Sequence, residues 1–104
     1  MEIYKVAEVD MYGCETKPQF FQLWNNAEEE FDKRMKELQG KLDVAKSDDE
    51  LMYGSHPVHI RTKKDEILNH PSALKEGVIN YWFSCKGDWD MAYITIVIEP
   101  IQVL

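Results

Sequence analysis

FFQLWNNAEEEFDKRMKELQGKL, residues 20–42, is the stretch on which the fold turns. Phe20, Trp24, Ala27, Phe31, Met35, Leu38 and Leu42 follow one another at spacings of four, three, four, four, three and four. Those steps stack the seven side chains on one side of an α-helix. The other side carries Glu29→Lys33, Glu30→Arg34 and Asp32→Lys36, all in the acid-first i,i+4 order that supports a solvated face. Upstream, Thr16 can cap a helix whose first turn holds Pro18, where a missing N–H does no harm. The pattern therefore predicts a long helix over roughly residues 17–45, weakened at Gly40 and broken by Ser47, Asp48, Asp49 and Glu50.

The flanks read as strands. Ile3 to Tyr12 sets Ile3, Ala7, Val9 and Met11 against Glu2, Glu8 and Asp10, with Tyr4 and Val6 blurring the alternation before Gly13. Val58 to Thr62 suits a short strand after Pro57. Thr62, with Asp65 and Glu66, suits the start of a short helix reaching about Asn69, stopped by Pro71. The C-terminal part is a hairpin. Val78 to Cys85 puts Ile79, Tyr81, Phe83 and Cys85 on one face, and Lys86-Gly87-Asp88 turns the chain. Trp89 to Glu99 returns with Ala92, Ile94, Ile96 and Ile98 on one face. Pro100 interrupts the pairing or runs along an edge, and Ile101 to Leu104 resume it. One amphipathic helix over three or four mainly antiparallel strands is an α+β fold, here one domain spanning residues 1–104.

Nineteen acids against twelve bases give a net charge of −7. Residues 1–50 hold 13 acids and 7 bases, residues 51–104 only 6 and 5. Such a field repels phosphates, so direct nucleic-acid binding is not expected, and Arg61, Lys63 and Lys64 are too few for a footprint. It suits a basic partner surface, or solubility alone. No apolar run approaches the roughly 20 residues of a membrane-spanning helix. No charged-then-apolar leader opens the chain, which points to the cytoplasm, with Cys14 and Cys85 reduced.

Most chemistries find no support. Cys14, His56, His59 and Cys85 lack the paired spacing of a structural zinc site, and Cys85 reads as a small core residue. Neither a metal nor another cofactor is expected. His70, with Asp65 and Glu66 nearby, is a candidate acid–base pair, but a solvated loop histidine explains the same residues. There is no G-x-S-x-G, Cys14 lies beside the unhelpful charge of Glu15, and the five glycines stand apart, so no phosphate cradle exists.

Two surfaces are left. Tyr81, Trp82, Phe83, Trp89 and Tyr93 crowd the hairpin, with Trp82 expected on the face away from the helix, meeting Trp89 across the strands. Such a pair stabilises a sheet, and the same residues make an aromatic platform for a partner. Glu28, Glu29, Glu30 and Asp32, with Asp43, Asp48, Asp49 and Glu50 beyond, form an acidic strip that could imitate nucleic acid, although Lys33, Arg34, Lys36 and Lys41 interleave with it. The expected function is protein binding through Trp82, Trp89 and Tyr93 or through Glu28, Glu29 and Asp32. An inhibitor or accessory protein of the phage or mobile-element kind fits that size and charge. The alternatives are a small enzyme, or a subunit of one, using His56, His59 or His70 as its acid–base group, and a homodimer that binds a ligand on an open sheet face.

Overall fold

A computed structural model describes residues 1–47, 51–53, 56–64 and 68–103. In chain order these form β1 (Glu2–Asp10), β2 (Glu15–Phe21), α1 (Trp24–Lys41), β3 (Asp43–Val44), β4 (Val58–Thr62), β5 (Lys75–Cys85) and β6 (Asp88–Gln102). The sheet runs β2-β1-β6-β5, with β3 and β4 both paired along the outer edge of β5, and every pairing is antiparallel. The α+β class is as expected, with more strands than the three or four read from the sequence.

The helix is shorter than the periodicity suggests. Thr16 and Pro18 lie in β2, and α1 begins at Trp24 with no side-chain cap from Leu23. A tight turn makes β2 possible: Asp10 Oδ1 accepts from the backbone N–H groups of Tyr12 and Cys14, both at 2.9 Å, while Gly13 takes φ 86°. β2 is an edge strand, which tolerates Pro18, and a register shift between Val6 and Glu8 accompanies Lys17 at φ 52°. Phe20 is consequently 54% exposed and no part of the helical stripe. From Trp24 onward the stripe behaves as expected. Ala27, Phe31 and Met35 pack on Val6, Ile79, Ile96 and Ile98, and the helix stops one residue past Gly40.

Both faces of β1 are covered, which is why its alternation is blurred. Val6 lies under the helix, whereas Ala7 and Val9 join Val97, Leu68 and Ala73 in a second apolar cluster on the far face. That face is therefore roofed in part by the chain's own connections, against the expectation of an open sheet. Residues 51–53 are fastened by the buried Asn80: its Oδ1 accepts from the N–H of Tyr53 at 3.0 Å and of Met52 at 3.3 Å, and its Nδ2 donates to the Tyr53 carbonyl at 2.7 Å. The helix expected over residues 62–69 falls largely on 65–67, outside the described residues.

β5 and β6 turn through Lys86 and Gly87, with Cys85 opposite Asp88. Both turn residues have positive φ (54° and 87°), the signature of the type I′ turns that match strand twist. β1 stops at the Asp10↔Ile94 pair and β3 reaches only Trp82, so the end of the hairpin runs on without neighbours on either side among the described residues. Pro100 pairs with Tyr4 but lies past Ile98, the last β6 residue in register with β5, so it sits where the β5 side of β6 has no partner strand among the described residues. Met1 and Val103 meet at the opposite end of the sheet, where the Met1 ammonium donates to the Val103 carbonyl at 3.1 Å. No helix among the described residues is long and apolar enough to cross a membrane.

Candidate functional site

Sheet alternation decides which aromatic residues of the hairpin share a face. The register pairs Tyr93 with Asn80, Met91 with Trp82 and Trp89 with Ser84, so Tyr93, Trp82 and Trp89 all lie on the face away from α1. Trp82 and Trp89 are diagonal neighbours across the strands; Met91 is the residue directly opposite Trp82. The three differ in what covers them. Tyr93 stacks on Tyr53 (centroids 4.6 Å apart, planes 20°) and is half-buried, as is Trp82, while Trp89 is 64% exposed. Cys85, expected in the core, is exposed beside the turn, because this part of the hairpin lies past the helix; Cys14 is exposed as well.

The acidic residues of α1 are divided in the same way. Glu28 Oε2 accepts from Lys75 Nζ at 3.1 Å, and that ammonium also sits 4.8 Å above the Phe31 ring. Glu30 accepts from Arg34 Nε at 2.7 Å. Arg34, placed by the sequence on the solvated side, is buried, with Gln19 Oε1 at 3.2 Å and Glu8 Oε2 at 3.7 Å. Glu29 and Asp32 are exposed, and Asp48, Asp49 and Glu50 lie outside the described residues. The strip is thus partly neutralised from within. It belongs to the helix layer, whereas Trp82 and Trp89 lie on the other side of the sheet.

The histidines occupy three different settings. His56 is exposed. His59 is buried on the far face beside Val78, with Nδ1 3.4 Å from the His56 carbonyl and Nε2 without a hydrogen-bond partner among the described residues; burial pulls its pKa below the ordinary 6.5. His70 does find a carboxylate, but it is Glu76. Its Nδ1 is 3.0 Å from Glu76 Oε2, and Asp65 and Glu66 lie outside the described residues. Glu76 is fully buried and also accepts from the N–H of Asn69 at 3.0 Å and of His70 at 3.3 Å. Burial pushes its pKa up, yet these hydrogen bonds outweigh that effect and hold it below the ordinary 4.5. A hollow of about 340 Å³ beside the pair is lined by Tyr53, Asn69, His70, Tyr93 and Asp10. Among the described residues no group of three or more His, Cys, Asp or Glu is placed to hold a metal ion.

Glu76, Asn80 and Arg34 are the structured polar residues that pattern reading passes over. Glu76 and Asn80 are four apart on one strand face, and that repeat of buried polarity in an otherwise apolar run was their available signal. Set against protein-family models, curated proteins and solved structures, the chain has no match.

Proposed function

We propose that the chain is a small acidic protein-binding module without a reaction of its own. It works by laying the aromatic face of its projecting hairpin against a partner protein, as an inhibitor or accessory factor of the phage or mobile-element kind working in the cytoplasm. One observation carries this reading: Trp89, with Met91 and the half-buried Trp82 on the same face, stands on the part of the hairpin past the last β3 pair at Trp82, which among the described residues no helix or flanking strand covers. An indole 64% exposed on a projecting ribbon is the kind of side chain that anchors protein interfaces. Covering it is worth roughly 2–4 kcal/mol of apolar transfer. The test is capture from native lysate at two salt concentrations with wild type, Trp82→Ala/Trp89→Ala and Glu29→Lys/Asp32→Lys. The expected result is a salt-tolerant partner lost with the tryptophan pair and kept with the helix pair. Capture indifferent to the tryptophans overturns the proposal.

The His70–Glu76 pair beside its hollow favours a second reading, acid–base catalysis by His70. Replacing His56, His59 and His70 together abolishes activity on that reading, and leaves partner capture intact on the first.

A further inference from the structure

Where β1 ends, the chain leaves a hollow of about 300 Å³ against β6, lined among others by Asp10, Tyr12, Tyr81, Phe83, Ala92 and Tyr93. Its chemistry is one-sided. Asp10 is the one charged side chain in the lining and no base is present among the described residues, while four aromatic rings supply most of the wall. Tyr81 and Phe83 are tilted at 54° with centroids 6.5 Å apart, and Tyr12 is 81% exposed at the rim. Aromatic faces carry negative charge density and draw cations, more so beside a carboxylate.

Asp10 is fixed for such a role. Oδ1 is held by the two turn N–H groups, and Oδ2 takes no hydrogen bond among the described residues. The floor adds acceptors, because β6 has no strand on the β1 side beyond Ile94 among the described residues and alternate carbonyls of that edge point outward. The phenol of Tyr81 has its pKa raised, first by burial and then by the Asp10 charge, in keeping with their closeness.

We propose that this hollow receives an arginine side chain of the partner protein, carried on a segment that lies along the open edge of β6. The proposal rests on the protein-binding reading above and gives that partner its chemistry. A planar guanidinium stacks on aromatic faces and offers five donors to a carboxylate and to carbonyls, which an ammonium does not. The net charge of −7 draws such a partner in.

The test is a titration of blocked tetra-arginine, tetra-lysine and tetra-citrulline peptides into the labelled protein, followed by amide chemical shifts. Asp10→Asn is the informative variant, since its Oδ1 keeps both turn hydrogen bonds and only the charge is lost. Tetra-arginine is expected to shift residues 10–13, 81–83 and 92–93 and to bind about tenfold more weakly to Asp10→Asn. Tetra-citrulline is expected not to bind, and Glu29→Lys/Asp32→Lys to weaken tetra-arginine less than Asp10→Asn does. Equal binding to wild type and Asp10→Asn, a larger loss with the helix variant, or tetra-lysine binding as tightly overturns the assignment. If the peptides fail while capture still depends on Trp82 and Trp89, the arginine pocket falls and the binding module stands.

Discussion

His59 and Glu76 are near neighbours on the far face of the sheet, one buried neutral and the other buried ionised, and pH acts on them in sequence. Burial lowers the imidazole's pKa, so below 6.5 the unfolded chain takes up a proton that the folded one refuses. Stability is therefore full at neutral pH and begins to fall as pH drops through 6.5. Glu76 has its pKa lowered in the folded state, so its contribution is present above 4.5 and is lost as pH falls further. Thermal melts from pH 8 to pH 3 should show two descending steps. His59→Asn should remove the upper step and keep the lower, and a melt that stays flat until pH 4.5 would contradict the burial of His59. Neither role was visible in the sequence. Glu76 lies two residues before the strand read as starting at Val78, and His59 shares a short strand whose outward and inward positions only its neighbours define.

At the scale of elements, the helix can approach the sheet because β5 has no side chain at Gly77. A Cβ there would come within 2.6 Å of Met35 Sδ and 2.9 Å of Phe31 Cζ. Met35 can swing aside, but the fully buried Phe31 ring has little room. Gly77→Ala should therefore cost about 1–3 kcal/mol, measured by chemical denaturation. A change under 0.5 kcal/mol would show that the two layers are not in tight contact at this point. The apolar stripe from Trp24 to Leu42 was legible because burial on one side imposes a period of 3.6. Its upstream limit was not. Pro18 suits a helix's first turn and an edge strand equally, since each leaves the missing N–H unneeded, and Phe20 matches the helical spacing by coincidence. The roof over the far face was equally hidden. Leu68, Ala73 and Tyr53 cover the sheet from irregular segments, which carry no period to read.

The molecule as a whole is elongated, 49 × 27 × 22 Å, with a radius of gyration of 14.2 Å against about 13 Å for a compact chain of this length. The projecting hairpin is part of that excess. Edge-to-edge pairing with a second copy would bring Asp10, Asp88 and Asp90 of one copy close to the same acidic group of the other, which disfavours it. Sedimentation should therefore give a monomer, with a scattering radius independent of concentration. A doubled mass that Trp82→Glu restores to single would favour the homodimer instead. The contact between Met1 and Val103 has a practical bearing on every such measurement. An affinity handle or surface linker joined to Met1 sits at the pole away from Trp89, so an anchored molecule presents its aromatic ribbon outward.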